Sequence, residues 1–511
     1  MRASRTQPEP VRPTGGPGSR PLPGGFRVRL RDDVARYPGA TPGESILIGG
    51  SPARSIKLSA RAAAMLEGPV LGVTDSASGV LARRLLDANV ADPELGDGVD
   101  PAEVTVVVPV RDRAEQLDRC LTALAGLRVV VVDDASREPD AVHAVVRRHR
   151  AQIVALPTNL GPAGARNAGL RQVTTPLVAF VDSDVTADAA ALRGLAAHFA
   201  DPALAVVGPL VRGSIASLRP RWFERYDAAA SSLALGRRAC SVAVGAAVGW
   251  LPSACLVART AVLRDLGGPQ GGAGGGFDAS MRVGEDVDLV WRLLEAGWRV
   301  RYDPTFEVRH DVRDSLRSIL GRKVLYGTGS APLAARHGDA VAVARLTPLM
   351  AAAGAGVLLR RPWSLALSVA ATWWARRSVR RALPPFDDQS AVATRLALRG
   401  LGWSVRQESA LLLRHWWPAA VLAGAVSGSA RRMLLSACVV DAVVAHTLDR
   451  PLDRPDLPPA GLLGTLVGRR LDDLAYGTGV WLGAARSGST RALRATLVRS
   501  ATASPTRPRG Q

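Results

Sequence analysis

The chain has 511 residues, 47% apolar and 22% charged, enough for two or three domains with sizeable cores. Basic residues outnumber acidic ones by 65 to 45, a net charge of +20, yet lysine occurs only at Lys57 and Lys323. The arginine bias runs through the whole chain without a basic stripe interleaved with aromatics, which argues against nucleic acid and favours anionic membranes and phosphorylated substrates as partners. Four scattered cysteines, Cys120, Cys240, Cys255 and Cys438, form no CxxC pair, so neither a disulfide framework nor a zinc site is indicated.

Residues 1–25 are Pro/Gly/Arg-rich, lack the apolar core of a signal peptide and are expected to be disordered. Residues 26–91 read as a small α+β unit. Strands are predicted over 26–30, 45–50 and 55–58, then a helix capped by Ser59 and another over 77–86. This order, with the segment IKLSARAAAML, resembles the PqqD-like peptide-recognition domain, a three-stranded winged-helix module. The resemblance implies that a peptide is gripped by strand addition. Residues 92–103 are a polar, Pro/Gly-rich linker.

The rhythm then changes. Short apolar runs at 104–110, 128–132, 153–156, 177–181 and 203–207 alternate with helical stretches, which predicts a parallel sheet covered on both faces. Ligands bind beyond the carboxyl ends of such strands, and polar residues collect there: Arg111 and Asp112, Asp133 to Ser136, Thr158 to Asn167, and Asp182 and Asp184. No GxGxxG follows the first strand, which argues against a dinucleotide site. Asp182 and Asp184 form a DXD pair at a strand end, where the turning backbone lets both converge. Magnesium-like cations take one or two carboxylates plus substrate phosphates; alternatively Asp184 caps a helix starting near Thr186.

A helix is predicted from Gly284, with Leu289, Val290, Leu293 and Leu294 on its apolar face. Its first turn holds Glu285, Asp286 and Asp288, which the helix dipole alone would stabilise. His310 follows the strand at 299–302, and Trp250 precedes Ser253, placed either to stack on an acceptor or to fill the core. The glycine-rich run 266–276 reads as a lid or a plain linker.

Five ordered motifs between Val104 and His310, VVVPVRDR, VVDDAS, NLGPAGARNAG, FVDSD and GEDVDLVWRL, resemble the family 2 glycosyltransferases. The resemblance implies an α/β GT-A (nucleotide-diphospho-sugar transferase) fold over 104–340. By it, Pro109, Arg111 and Asp112 line the nucleotide pocket, Asp134 contacts uracil or ribose, and Arg166 sits near the base or phosphate. Asp182 faces ribose and metal, Asp184 and His310 ligate Mg2+ or Mn2+, and Asp286 is the general base of an inverting transfer. Trp250 and Glu285 are placed at the acceptor. The QxxRW pattern of long-polymer synthases is absent.

Residues 341–486 are Ala/Leu/Trp-rich and read as helical. The uncharged runs 346–359, 362–375 and 415–430 fall short of the roughly 18 residues that span a bilayer. Arginine clusters and the pairs Trp373-Trp374 and Trp416-Trp417 flank them, as in helices lying in a membrane interface; a soluble helical domain and true spanning are the alternatives. The tail, 487–511, is polar and expected to be mobile.

A peptide-recognition unit joined to a family 2 transferase and a helical region is similar to the glycosyltransferases of mycofactocin systems. That resemblance implies UDP-glucose as donor, a peptide-derived redox-cofactor precursor as acceptor and a β-1,4-linked glucose chain as product. The unpaired cysteines suit a reducing cytoplasm, and the arginine- and tryptophan-flanked helices a peripheral position at the inner face of the membrane. The rival readings are a family 2 enzyme acting on a cell-wall glycan or lipid-linked acceptor, and a peptide-binding scaffold with an inactive transferase domain.

Overall fold

A computed structural model describes residues 17–50, 53–66, 68–96, 98, 100–266, 275–447 and 460–498. Strand Val104–Val110 is buried at every position but Pro109, as expected where both faces of a sheet are covered. Successive side chains alternate between faces. Val107, Val130, Val132 and Phe180 pack with helix Gly161–Gln172 in one core. Val106, Val108, Val131 and Ala179 pack beneath helices Ala114–Ala123, Pro139–Arg148 and Ala189–Ala196 in the other.

The main sheet has nine strands. Gln152–Ala155, Arg128–Asp133, Val104–Val110 and Leu177–Val181 run parallel. Cys255–Arg259 then lies antiparallel between Leu177–Val181 and Leu204–Ser214, which in turn pairs parallel with Arg299–Asp311. The five strands expected from the sequence do run in one direction; the sheet is mixed because Cys255–Arg259, which the pattern does not mark as a strand, is inserted antiparallel between two of them. The alternative in which Asp184 caps a helix starting near Thr186 does not hold. Val185–Thr186 is a strand against Arg299–Asp311, and the helix begins at Ala189, with Asp188 Oδ1 accepting from Ala190 N at 2.8 Å. Asp184 is not its cap.

The N-terminal unit contains two three-stranded sheets rather than one. Arg27–Leu30 pairs with Val70–Gly72 and Ala91–Pro93, whereas Ala35–Pro38, Ser45–Gly49 and Arg54–Leu58 form a separate meander. The expected linker thus starts later than residue 92. Both sheets share a core with helix Ser76–Asp87 through Val28, Leu47, Ile56 and Leu85. Ser59 caps helix Ala60–Met65 as expected. Ion pairs tie the unit to the main sheet, Arg83 to Asp201 and Arg301 to Asp92, both at 2.5 Å. On the opposite side Ile46 and Ile48 pack with Leu383, Val392 and Ala393 of the C-terminal helices.

Both termini are more ordered than expected where they are described. Leu22 is buried, and Gly18 O accepts from Arg299 Nη2 at 3.0 Å. Thr496–Leu497 pairs with Arg345–Leu346. Residues 1–16 and 499–511 lie outside the described residues.

Past Thr347 come helices Pro348–Leu359, Pro362–Ala382, Gln389–Ala410, Trp417–Val426, Gly428–Thr447 and Gly461–Ser487. Among the described residues no helix is long and apolar enough to cross a membrane. The last helix lies backbone to backbone on helix Leu316–Thr328. A Cβ at Gly479 would stand 2.0 Å from Val324 O, and one at Gly327 2.2 Å from Tyr476 O. Only glycine permits that approach. Gly479→Val is expected to lower stability by about 1–3 kcal/mol through overpacking. Urea denaturation of the full chain measures this, and an unchanged midpoint would mean the two helices do not touch there.

Candidate active site

The DXD turn closes the central sheet. Asp182 N donates to Ala254 O and Val185 N to Asp182 O, both at 2.9 Å, while Asp311 N donates to Asp184 O at 3.0 Å. Val185 then sits opposite His310. This brings His310 Nε2 to 3.7 Å from Asp184 Oδ1, while the other carboxylate oxygen is ion-paired with Arg113. Burial pushes the Asp184 carboxyl up, but the charges of His310 and Arg113 outweigh it and hold the group below its ordinary range. Behind the turn Cys120 Sγ donates to Asp182 O at 3.8 Å, and burial keeps the thiols of Cys120 and Cys255 neutral.

Helix Gly161–Gln172 opens at Gly161, whose φ of +77° suits glycine. Leu160 N and Gly161 N donate to the two carboxylate oxygens of Asp134 at 2.7 and 2.9 Å. Asp134 therefore shapes the start of this helix. One turn on, Arg166 is only 2% exposed. Its Nη2 donates to Asp182 Oδ1 at 2.5 Å and its Nη1 to Glu285 Oε1 at 3.1 Å, with the Phe277 ring 5.3 Å from the guanidinium. Burial opposes its charge, but Asp182 and Glu285 outweigh that and keep it protonated.

The three acidic residues in the first turn of helix Glu285–Glu295 have different partners. Glu285 holds Arg166. Asp286 accepts from Val287 N at 2.8 Å and Ser253 N at 3.3 Å. Burial first, and the charge of Glu285 second, push its carboxyl up to about 7. Asp288, fully buried, accepts from Arg336 at 2.6 Å, Arg292 at 2.7 Å and His337 at 2.9 Å. Burial opposes its charge, yet these donors bring it down to about 2.

The other expected residues lie around the same rim or beside it. Pro109 is the penultimate residue of strand Val104–Val110, and Arg111 is exposed. Asp112, at φ +58°, faces Arg137, accepting from its N at 2.6 Å and its Nε at 2.9 Å. Trp250 is half-buried on the segment between Gly249, whose carbonyl accepts from Trp291 Nε1 at 2.8 Å, and Ser253. Most of the proposed lid, 267–274, lies outside the described residues. Sequence reasoning missed Arg113, although it stands in the first motif. It also missed Arg313, Arg322 and Tyr326, which follow the last motif and carry no signal of their own. Tyr326 is close enough to Asp286 and Asp182 for their charges to raise its pKa, after burial. Arg313, whose charge burial disfavours, also feels Arg322 and Arg113.

Among the described residues no group of three or more His, Cys, Asp or Glu side chains is placed to hold a metal ion. Asp184 and His310 offer one oxygen and one nitrogen. That donor set fits a cation which draws its remaining ligands from a diphosphate and water.

Residues 105–265 match the family described as glycosyl transferase family 2. Over 483 residues, 93% of this chain and 98% of the relative, the sequence is 42% identical to the pre-mycofactocin glycosyltransferase of Mycobacterium tuberculosis strain ATCC 25618 / H37Rv. The chain belongs to the pre-mycofactocin glycosyltransferase family. It is an enzyme of the glycosyltransferase class, and the reading as an inactive scaffold falls. It is also 34% identical over 224 residues, 42% of this chain and 91% of the relative, to the uncharacterized glycosyltransferase Rv0539 of the same strain. The mannosyltransferase PcManGT from Pyrobaculum calidifontis, solved with GDP-Man and Mn2+, covers 69% of this chain and 90% of its own at 19% identity and a TM-score of 0.35. The family match and the strand order together make the fold GT-A.

Asp288 tests whether the helix that carries Asp286 is held from behind. Asp288→Ala leaves Arg336 and His337 facing an empty buried position, and is expected to cost about 3–5 kcal/mol of stability. Denaturant unfolding at neutral pH measures it; a loss below about 1 kcal/mol would show that the cluster holds nothing.

Proposed function

We propose that the chain transfers glucose from UDP-glucose to the mycofactocin precursor with inversion, building a β-1,4-linked oligosaccharide. The observation that carries this reading is the Arg166 bridge, which joins Asp182 of the DXD turn to Glu285 and so sets Asp286 beside the same cleft. Asp286 takes the proton of the acceptor hydroxyl as that oxygen attacks the anomeric carbon and the bond to the diphosphate breaks. A carboxylate with a pKa near 7 suits a general base at neutral pH. One displacement on an α-linked donor gives a β product.

Pro109, Arg111, Asp112 and Asp134 line the nucleoside pocket in this reading, with Asp182 toward the ribose. Asp184 and His310 would hold Mg2+ or Mn2+, which when bound offsets charge on the departing diphosphate. Arg113 neutralises Asp184 and stands ready to turn to phosphate. Glu285 gives one oxygen to Arg166, so its part at the acceptor is to hold the neighbouring base; Trp250 would stack on the acceptor. Residues 26–91 would present the Arg54–Leu58 edge to the precursor peptide. A lipid-linked acceptor is the second reading, favoured by the apolar outer faces of the C-terminal helices. Mass spectrometry of the precursor and of a lipid-linked acceptor, each incubated with UDP- and GDP-sugars and the enzyme, separates the two.

Asp286→Asn is expected to lose about 10²–10⁴-fold in turnover while still binding UDP; normal turnover would remove the assignment. The base works only when deprotonated. The kcat/KM of the unaltered enzyme should therefore fall as pH drops below about 7. Glu285→Gln removes the neighbouring negative charge that raises Asp286, so its acid limb should move to lower pH. An acid limb that stays in place would mean that Asp286 is not the titrating group.

A further inference from the structure

A helix on a water-facing surface turns its apolar stripe toward the core. Pro362–Ala382 does the reverse. Its buried residues are Ser364 and Ser368, whose hydroxyls donate to Gly356 O at 2.9 Å and Ala353 O at 2.7 Å. Trp363, Leu367 and Trp374 stand 61%, 61% and 59% exposed, and their spacing puts them on one stripe. Its neighbours repeat the pattern. Trp417–Val426 buries Ala420 and Gly424 and exposes Leu422 and Val426. Gly428–Thr447 buries Ser436 and Ala437 and exposes Leu435, Val439 and Val443. Gly461–Ser487 buries Gly468, Gly477, Gly479 and Gly483 and exposes Leu462 and Leu463.

Small residues between helices and large apolar ones outside is how helices pack when hydrocarbon surrounds them. An apolar surface of this extent marks an interaction site, and its charges select the occupant. Residues 360–386 carry six arginines and no acidic residue. Arg377 lies 5.9 Å from the Trp373 ring, and Arg380 and Arg381 close the last turn of the same helix. Apolar side chains bordered by tryptophan and arginine match acyl chains beneath anionic headgroups. A second copy of the chain would instead set arginine against arginine. No described helix is long and apolar enough to cross, so the helices lie in one leaflet.

We propose that helices 348–487 form a monotopic anchor whose outward apolar face seats Trp363, Leu367 and Trp374 in the upper acyl region of an anionic bilayer. The inference stands apart from the transfer reaction and uses none of its residues.

The test is flotation of the full chain with vesicles of phosphatidylcholine containing phosphatidylglycerol, and with phosphatidylcholine alone. The unaltered chain should float with the anionic vesicles. The combined variant Trp363→Ser, Leu367→Ser and Trp374→Ser should lose more than about tenfold in partitioning at unchanged helix content. Arg377→Ala with Arg380→Ala and Arg381→Ala should lose the preference for phosphatidylglycerol. Brominated lipids should quench tryptophan fluorescence in the unaltered chain, a reading that needs no variant. A chain that stays unbound and unquenched with both vesicles overturns the proposal. So does a dimer in light scattering that the tryptophan–leucine variant dissolves while vesicles remain empty, since a second copy would then cover the face.

Discussion

A single buried guanidinium holds the candidate site together. Arg166 lies inside the protein, where an unpaired charge would cost several kcal/mol, and it is bonded to Asp182 from a strand end and Glu285 from a helix start. Because Arg166 is fixed on helix Gly161–Gln172, the two carboxylates must come to it. The DXD turn and the first turn of helix Glu285–Glu295 are thereby held in one place, although 103 residues separate Asp182 from Glu285 in the chain. The bridge bears less on the charge of Asp286. Burial first, and the charge of Glu285 second, raise its proton affinity, while the charge of Arg166 lowers it.

The neighbouring turn shows how local rules run out. Dipole and capping arguments treat Glu285, Asp286 and Asp288 alike. Their partners do not. Glu285 meets a buried cation, Asp286 meets two backbone N–H groups and a like charge, and Asp288 meets Arg292, Arg336 and His337. The carboxyls of Asp286 and Asp288, two positions apart, end near 7 and near 2. Part of the difference is local, since Glu285 adjoins Asp286 and Arg292 lies one turn beyond Asp288; the rest comes from burial and from Arg336 and His337, which lie far along the chain.

Much of the transferase unit was legible because strand and loop differ in composition. Uninterrupted valine runs marked the buried strands, and the polar residues just past them marked the rim where Asp134, Arg166, Asp182 and Asp184 stand. The antiparallel strand Cys255–Arg259 was not legible, since it falls outside the strand–helix alternation that marked the others. Nor was the pairing of Arg27–Leu30, because two short partners, Val70–Gly72 and Ala91–Pro93, are too brief to show alternation. Arg113, Arg313, Arg322 and Tyr326 join the cleft only through tertiary folding. In the C-terminal region the sequence showed apolar runs and arginine clusters but not which side faced inward. In Pro362–Ala382 serine points in and tryptophan points out, and an apolar run alone carries no sign of that arrangement.

The N-terminal unit connects these parts, and the chemistry of its two faces differs. Toward the main sheet it uses charge: Arg83 with Asp201, and Asp92 with Arg301. Toward the C-terminal helices it uses apolar contact: Ile46 and Ile48 with Leu383 and Val392, and the Tyr37 and Phe386 rings 4.6 Å apart. The apolar face would stand in water if the C-terminal helices were removed, at roughly 25 cal/mol for each Å² exposed. The charged face would leave Arg301, itself buried, without a carboxylate. Either loss costs more than a surface contact would. The Arg54–Leu58 edge, the candidate site around Arg166 and the outward tryptophans are therefore held at fixed positions relative to one another. The orientation of the C-terminal helices then sets the orientation of that site.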